Sequence, residues 1–482
     1  MRLGELLGSV GLAADAAQLE VAGLAFDSRA VKPGDLFFAV AGTHAHGLAY
    51  AERASNAGAV AIVAERSPAE PLGVPLITVP DARSALASAA ARYYPAAPDT
   101  VTAVTGTAGK TSVVDFTRQI FTGLGRNAAS LGTLGVIKPD HAAYGALTTP
   151  DPLFLHRTLD ALAREGITHL AMEASSHGIE QRRLEAVRLS AAAFTNLGRD
   201  HLDYHADMET YFHAKLRLFR ELLPRGRPVV VNADGAWADR LLAELRTMNI
   251  EPLTVGRSGN DIRLVNVRRE GFRQHLSLEI AGARPREVEF SLPGEFQVEN
   301  ALTAAGLAFA SQEKADAVIA MLPFLKGVPG RLELAGEARG GLIFVDYSHK
   351  PEALSNAIAA LRPFTSGQLT VVFGCGGDRD PGKRPLMGQI AVQSADRVIV
   401  TDDNPRSEEP ASIRRAILAA APGAVEIGDR AAAIGVAVRS MTPGDVVLIA
   451  GKGHETGQII GDRTLPFSDH DAVVSAIKEL AA

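Results

Sequence analysis

Residues 101–112 read V-T-A-V-T-G-T-A-G-K-T-S, and their types and order suit the holding of a polyphosphate. A strand-forming run meets Gly106, Gly109, Lys110 and Thr111, and a helical pattern follows from Ser112 to about Leu124. A strand that stops at glycines and opens a helix leaves several backbone N–H groups pointing one way, beside the positive end of the helix dipole. Lys110 then reaches outer phosphates, and the Thr111 hydroxyl ligates Mg²⁺. The strict P-loop spacing wants a glycine where this chain has Val104; the first glycine is Gly106, which makes a compact variant. A glycine-rich turn that binds nothing is the plainer alternative, but G-K-T-S after a strand is a much narrower pattern than loose glycines. A nucleoside triphosphate is expected here.

Other polar residues stand at the ends of apolar runs. The run 169–173 (H-L-A-M-E) ends in Glu173-Ala-Ser-Ser-His177-Gly178. A carboxylate at the carboxyl end of a buried parallel strand is a candidate Mg²⁺ ligand, and a helix cap is its alternative. The run 191–195 leads into His201, Asp203 and His205; zinc fits that spacing, but the Mg²⁺ already implied by the P-loop accounts for these side chains more simply. From 209 to 223 an apolar helical stripe of Tyr211, Phe212, Leu216, Leu218, Phe219, Leu222 and Leu223 has Lys215 in its middle. A snorkelling lysine and a lysine held at a polar cleft both fit. Cys375 reads as a small packing thiol.

These residues need elements to position them. At 482 residues the chain suggests about three domains, with Pro95-Ala-Ala-Pro98 and Gly327-Val-Pro-Gly330 as punctuated linkers. The expected boundaries are 1–96, 97–328 and 329–482. The first domain reads as a small α/β unit, with strands at 24–29, 35–41, 59–64 and 76–79 and helices near 50–57 and 82–94. The second is a P-loop α/β domain that includes antiparallel strands over 261–292 and a helix at 298–310. In the third, strands at 342–347, 369–374, 397–401 and 446–450 alternate with helices at 351–361, 384–394, 410–421 and 430–439, a Rossmann-like doubly wound sheet. Its strand ends carry D-Y-S-H-K, G-C-G-G-D-R-D, D-N-P-R and G-K-G-H-E, loops that converge on one crevice. A net charge of −6 gives no reason to expect nucleic acid or anionic membrane as a partner. One cysteine excludes an internal disulfide. Neither a signal peptide nor a membrane span is visible, so a cytosolic protein is expected.

With those loops in view, the chain resembles the Mur ligases, ATP-dependent amino-acid-adding enzymes of peptidoglycan synthesis, over essentially its whole length. T-G-T-A-G-K-T-S is similar to the family's T-G-T-N-G-K-T, and V-D-Y-S-H-K-P-E-A-L to its V-D-Y-A-H-x-P-x-A-L. D-N-P-R with G-C-G-G-D-R-D and G-K-G-H-E resembles the members that add meso-diaminopimelate to UDP-MurNAc-L-Ala-D-Glu. The resemblance implies that Gly106, Thr107, Ala108, Gly109, Lys110, Thr111 and Ser112 bind ATP, with Asn300, Arg331, Asp346 and Lys350 as further contacts. It implies that Phe26, Ser28, Thr43, His44, Ala45, Thr148, Thr149, Ser175, Gln181 and Arg183 bind the UDP-muramoyl dipeptide. Thr111, Glu173 and His201 would serve Mg²⁺, and Lys215 matches a lysine that the family carboxylates to a metal-binding carbamate. Lys110, Lys215, His201 and Glu173 are therefore the catalytic candidates. Arg379, Asp403, Asn404, Pro405, Arg406, Gly451 and Glu455 would hold the incoming amino acid, and a monomer is expected.

The chemistry so implied is phosphorylation of the D-Glu carboxylate by ATP, followed by attack of an amine on the acyl phosphate. Little covalent work falls to the protein, so positioning and charge neutralisation carry the catalysis. Arg406 can fork onto the far carboxylate of diaminopimelate, which lysine lacks. Three positions depart from the family pattern: Ala108 and Gln297 each replace an asparagine, and Lys350 stands where threonine is common. None removes phosphate-binding backbone, so activity is expected to survive. A folylpolyglutamate-synthase-like or lysine-adding enzyme is the near alternative, and a P-loop kinase or nucleotide-regulated binding protein the distant one.

Overall fold

Buried strand runs are what position the P-loop. The computed structural model describes all residues except 9–10, 43–45, 69–70, 144–146, 202–203, 271–272 and 482. The chain divides into two compact units: Met1–Leu264 with Glu279–Arg284 and Leu302–Met321, and Val265–Leu278 with Pro285–Ala301 and Leu322–Ala482.

The first unit opens with four parallel strands in sequential order: β1 (Gly23–Ala25), β2 (Asp35–Phe38), β3 (Ala61–Ala64) and β4 (Leu76–Thr78). β1 is shorter than the expected strand over 24–29. Asp27 captures Arg29 through both backbone and side-chain N–H groups, turning the chain at Ser28.

The larger sheet of this unit contains β5 (Thr100–Thr105), β6 (Ala128–Gly132), β7 (Gly135–Ile137), β8 (Ala142–Ala143), β9 (His169–Glu173), β10 (Ala191–Phe194), β11 (Val229–Asn232) and β12 (Leu253–Gly256). Their order is β12-β11-β10-β5-β9-β6-β7-β8, which places β5 between β10 and β9, both parallel to it. Both faces of β5 are covered, which its unbroken apolar and threonine run permits. Register sets Val104 beside Glu173 and Thr105 beside Phe194. The P-loop, Glu173 and the 195–201 loop therefore leave neighbouring strands at one edge, the carboxyl edge where parallel sheets bind ligands.

The P-loop helix is Lys110–Gly123, two residues earlier than the expected start, because Gly109 takes a left-handed conformation (φ +84°) and caps it. The helix carrying Lys215 runs over Met208–Arg217 and passes into a π-turn at Leu218–Leu222. Its side-chain cap is Asp207, which accepts the Thr210 N–H at 2.7 Å. The strand stretch expected to be antiparallel over 261–292 begins otherwise: β13 (Ile262–Glu270) joins β12 in parallel through Ile262 and Arg263.

β14 (Arg273–Ile280), which belongs to the second unit as far as Leu278, pairs antiparallel with β15 (Arg286–Phe290). The main sheet of the second unit has β16 (Glu333–Ala338), β17 (Gly341–Asp346), β18 (Leu369–Phe373), β19 (Arg397–Val400), β20 (Val425–Glu426) and β21 (Val446–Ala450). The order is β16-β17-β21-β18-β19-β20, parallel except for β16. Apolar clusters lie on both faces: Leu354, Ile358, Met387 and Ile417 in one, Ile434, Val438 and Val473 in the other. The hairpin β22 (Gly457–Ile460) and β23 (Arg463–Pro466) and the helix Asp469–Ala481 complete the unit. The helix expected over 410–421 ends at Leu418. Cys375 is buried, its thiol pushed up to about 12 by burial, as a packing residue would be. No helix among the described residues is long and apolar enough to cross a membrane.

Candidate active site

The P-loop is braced by its neighbours. Ala108 donates its N–H to Asn196 Oδ1 at 3.0 Å, and its carbonyl accepts the Thr195 hydroxyl at 2.7 Å. The Thr107 hydroxyl accepts the Gly198 N–H at 2.9 Å and lies 3.1 Å from the Tyr211 hydroxyl. A Cβ on Gly106, at φ +149°, would stand 1.9 Å from Thr195 Oγ1. Gly106→Ala is therefore expected to cost about 2 kcal/mol of stability and to weaken nucleotide binding by about tenfold or more. Urea unfolding and calorimetric ATP titration read the two effects; an alanine variant that binds as the parent does would show that this strain is not needed.

Two lysines share the Gly106 carbonyl. Lys110 Nζ donates to it at 2.9 Å and to the Thr107 carbonyl at 2.9 Å. Lys215 Nζ donates to the same oxygen at 2.8 Å and lies 4.4 Å from the centre of the Tyr211 ring. Lys215 is 1% exposed, which excludes the snorkelling alternative. Burial, and next the Lys110 charge, pull its ammonium well below the usual lysine range, against Asp200. That shift weakens the amine's hold on its proton, and only a neutral amine reacts with CO₂.

Glu173 is also 1% exposed. Its Oε1 accepts the Thr133 N–H at 2.7 Å. It is not the cap of the following helix: Ser175 is, accepting the Gly178 N–H at 3.1 Å. His201 has φ +53° and a ring 4.8 Å from that of His177. Buried His205 places Nε2 3.0 Å from Ser176 Oγ. Asp203 lies outside the described residues. Among the described residues no group of three or more His, Cys, Asp or Glu could hold a metal ion. The Thr111 hydroxyl and the Glu173 carboxylate are oxygen donors of the kind Mg²⁺ takes, whereas the His201 imidazole offers nitrogen.

Next to Glu173 is a compact polar group. The Thr149 hydroxyl donates to the Glu173 carbonyl at 2.9 Å and accepts the Ser175 N–H at 3.0 Å. Arg183 donates to the Thr149 carbonyl at 2.5 Å and to Gln181 Oε1 at 2.7 Å. Thr148 Oγ1 lies 3.1 Å from Thr133 Oγ1. Thr148, Thr149, Ser175, Gln181 and Arg183 thus form one linked cluster. Ser28 is buried, and Phe26 packs half-buried against the apolar cluster around Leu24 and Phe38. Thr43, His44 and Ala45 lie outside the described residues.

The second unit carries the other candidates. Asn300 is buried on the helix Glu295–Ala310. The Arg331 guanidinium sits 4.9 Å over the Tyr347 ring. Asp346 accepts the Leu332 N–H at 2.7 Å and the Ser348 hydroxyl, and burial raises its carboxyl against those bonds. Lys350 precedes the helix Pro351–Leu361 as its cap residue. Gln297 donates to the Arg331 carbonyl at 3.0 Å.

Loops after the adjacent strands β21, β18 and β19 bring Asp403, Asn404, Arg406, Gly451 and Glu455 together. Asn404 Nδ2 donates to Glu455 Oε2 at 2.8 Å, and Arg406 Nη1 to the Gly377 carbonyl at 2.9 Å. A Cβ on Gly377 would meet the Pro405 carbonyl at 1.8 Å, so the D-N-P-R turn rests directly on that glycine. Arg379 is exposed, and its Nη1 donates to the Asp378 carbonyl at 3.4 Å. Sequence reasoning passed over Thr195, Asn196 and Lys452. The last stood inside the G-K-G-H-E motif, a signal that its flanking glycines masked.

Family models match in three segments: "Mur ligase family, catalytic domain" over 20–94, "Mur ligase middle domain" over 104–308 and "Mur ligase, glutamate ligase domain" over 330–453. The UDP-N-acetylmuramoyl-L-alanyl-D-glutamate–2,6-diaminopimelate ligase of Bradyrhizobium diazoefficiens is 54% identical, covering 100% of each chain. The Caulobacter vibrioides protein of the same name is 49% identical over 96% of each. A solved structure of a ligase of that name superposes with a TM-score of 0.75 at 33% identity, covering 100% of this chain and 99% of that one.

Proposed function

This chain belongs to the Mur ligase family, and from that premise we propose an ATP-dependent amide ligase that adds meso-2,6-diaminopimelate to UDP-MurNAc-L-Ala-D-Glu in peptidoglycan precursor synthesis. The observation that carries it is a P-loop whose Gly106 carbonyl is shared by Lys110 and buried Lys215, in a chain 54% identical along its length to a diaminopimelate ligase. The D-Glu carboxylate attacks the γ-phosphorus of ATP, giving an acyl phosphate and ADP. The amine then attacks the acyl carbon, and inorganic phosphate leaves with the bonding electrons.

The chain's own residues position and neutralise. Residues 106–112 cradle the phosphates, with Lys110 leaving its backbone acceptors to meet them; Asn300, Arg331, Asp346 and Lys350 make further nucleotide contacts. Thr111, Glu173, His201 and a carboxylated Lys215 would hold Mg²⁺, which when bound neutralises phosphate charge. The Thr148–Arg183 cluster, with Phe26, Ser28 and residues 43–45, takes the UDP-muramoyl dipeptide. Arg379, Asp403, Asn404, Pro405, Arg406, Gly451 and Glu455 take the diamino acid. Domain boundaries near 96 and 328, a monomeric state and a cytoplasmic setting belong to the same reading.

Phosphate release with UDP-MurNAc-L-Ala-D-Glu and ATP, with meso-diaminopimelate or lysine added in parallel, tests it. Release only with diaminopimelate is expected. Release with lysine would keep the ligase and discard the selectivity; release with neither would leave a nucleotide-binding protein.

A further inference from the structure

Lys452 is a lysine with no exposed surface, to which the proposed reaction assigns no role. A buried ammonium is tolerable only when its protons are placed. Its Nζ donates to Asn404 Oδ1 at 2.9 Å and to the Gly457 carbonyl at 2.7 Å. Asp403 Oδ1 lies 3.5 Å away and Glu455 Oε2 3.7 Å. Burial draws the ammonium below the usual lysine range, and Asp403 opposes that shift.

The bond to Asn404 has a consequence beyond packing. Asn404 Oδ1 also accepts the Ile459 N–H at 2.9 Å, so two donors converge on one oxygen. An amide turned over would set its NH₂ against both of them, donor to donor. The amide is therefore fixed with Nδ2 toward Glu455, which it meets at 2.8 Å. The backbone of the same turn is sewn to β22 and its end: Asn404 N–H donates to Gln458 Oε1 at 3.1 Å, Arg406 N–H to the Ile459 carbonyl at 3.1 Å, and Gly461 N–H to the Arg406 carbonyl at 2.7 Å. Through the Gly457 carbonyl Lys452 ties the foot of that hairpin to the turn. An apolar side chain of similar length would fill the space without the desolvation cost. What the ammonium adds is orientation.

We propose that Lys452 is a positioning residue for the amino-acid subsite, setting the Asn404 amide and, through it, the Glu455 carboxylate that receives the incoming diamino acid. This rests on the ligase reading above.

Steady-state kinetics on the full chain, varying ATP, UDP-MurNAc-L-Ala-D-Glu and meso-diaminopimelate in turn, test it. The parent protein comes first: phosphate release that does not depend on diaminopimelate would sink the ligase reading itself, whatever Lys452 does. Given that dependence, Lys452→Met is expected to raise KM for diaminopimelate about tenfold or more, with KM for ATP and kcat changed by less than about threefold. Combining it with Glu455→Gln should raise that KM no further than the larger single change. A KM for diaminopimelate within about twofold of the parent, equal rises for all three substrates, or simple additivity would overturn the proposal. If Lys452→Met does not fold, Lys452→Gln, which keeps a donor, should give a smaller rise confined to diaminopimelate; an unchanged KM would count against the proposal in the same way.

Discussion

Replacing Lys215 with alanine is expected to abolish ligation, lowering kcat by about a thousandfold or more. The side chain is buried, with its amine over the Tyr211 ring and against the Gly106 carbonyl, at the turn where the P-loop begins. Carboxylation by CO₂, as proposed, would replace an ammonium by a carbamate, a change of two charge units beside the P-loop. The lowered basicity of this amine favours that chemistry, since only the neutral amine adds CO₂. Alanine also removes a packed stem, so Lys215→Met separates the effects. It keeps the stem, and the same loss of turnover with an unchanged urea midpoint is expected. Near-normal phosphate release by either variant would remove the carbamate from the mechanism.

Arg406→Lys is expected to relax the choice of amino acid, cutting the preference for meso-diaminopimelate over lysine by about a hundredfold. The Arg406 backbone is held at φ +52°, and Nη1 is fixed by the Gly377 carbonyl at 2.9 Å and the Asn404 carbonyl at 3.3 Å. A guanidinium anchored on one edge presents a pre-oriented fork to a carboxylate. A lysine ammonium is a point charge on a loose stem and cannot reproduce that fork. The readout is the ratio of kcat/KM values for the two amino acids. A ratio equal to the parent's would show that the far carboxylate is recognised elsewhere.

The parts of this protein most legible in the sequence are those whose signal is local. The run of buried strand formers into Gly106 and Gly109 specifies strand, turn and helix within a dozen residues. The regular alternation after residue 341 likewise gives the parallel strands β17, β18, β19 and β21 to within a residue. Direction of pairing is less legible, because alternation marks a strand without saying which neighbour it joins. Hence the parallel start of β13. The surroundings of single charges are the least legible. The acceptor for Lys215 lies 109 residues away, and the Asn404 oxygen that receives Lys452 is 48 residues away. A lysine between two glycines reads as exposed until the hairpin that covers it is in place. Thr195 and Asn196, which brace Ala108, are found only once β10 is known to lie beside β5.

The ion pair between Arg430 and Asp469 bears on when this molecule becomes competent. Both side chains are buried, joined by two bonds of 2.6 and 2.7 Å, and Arg430 also holds the Ala450 carbonyl at 3.0 Å, one residue before Gly451. A guanidinium cannot settle in that position before its carboxylate arrives, and the carboxylate opens the final helix. Lys452 similarly waits for Gly457. On a ribosome, where the chain emerges from its amino end, the loops that would choose the amino acid are thus among the last to take shape. The P-loop, whose braces end with Tyr211 and Lys215, can be finished while more than two hundred residues are still to come. A nascent chain would acquire the means to hold its energy source well before the means to select what it joins.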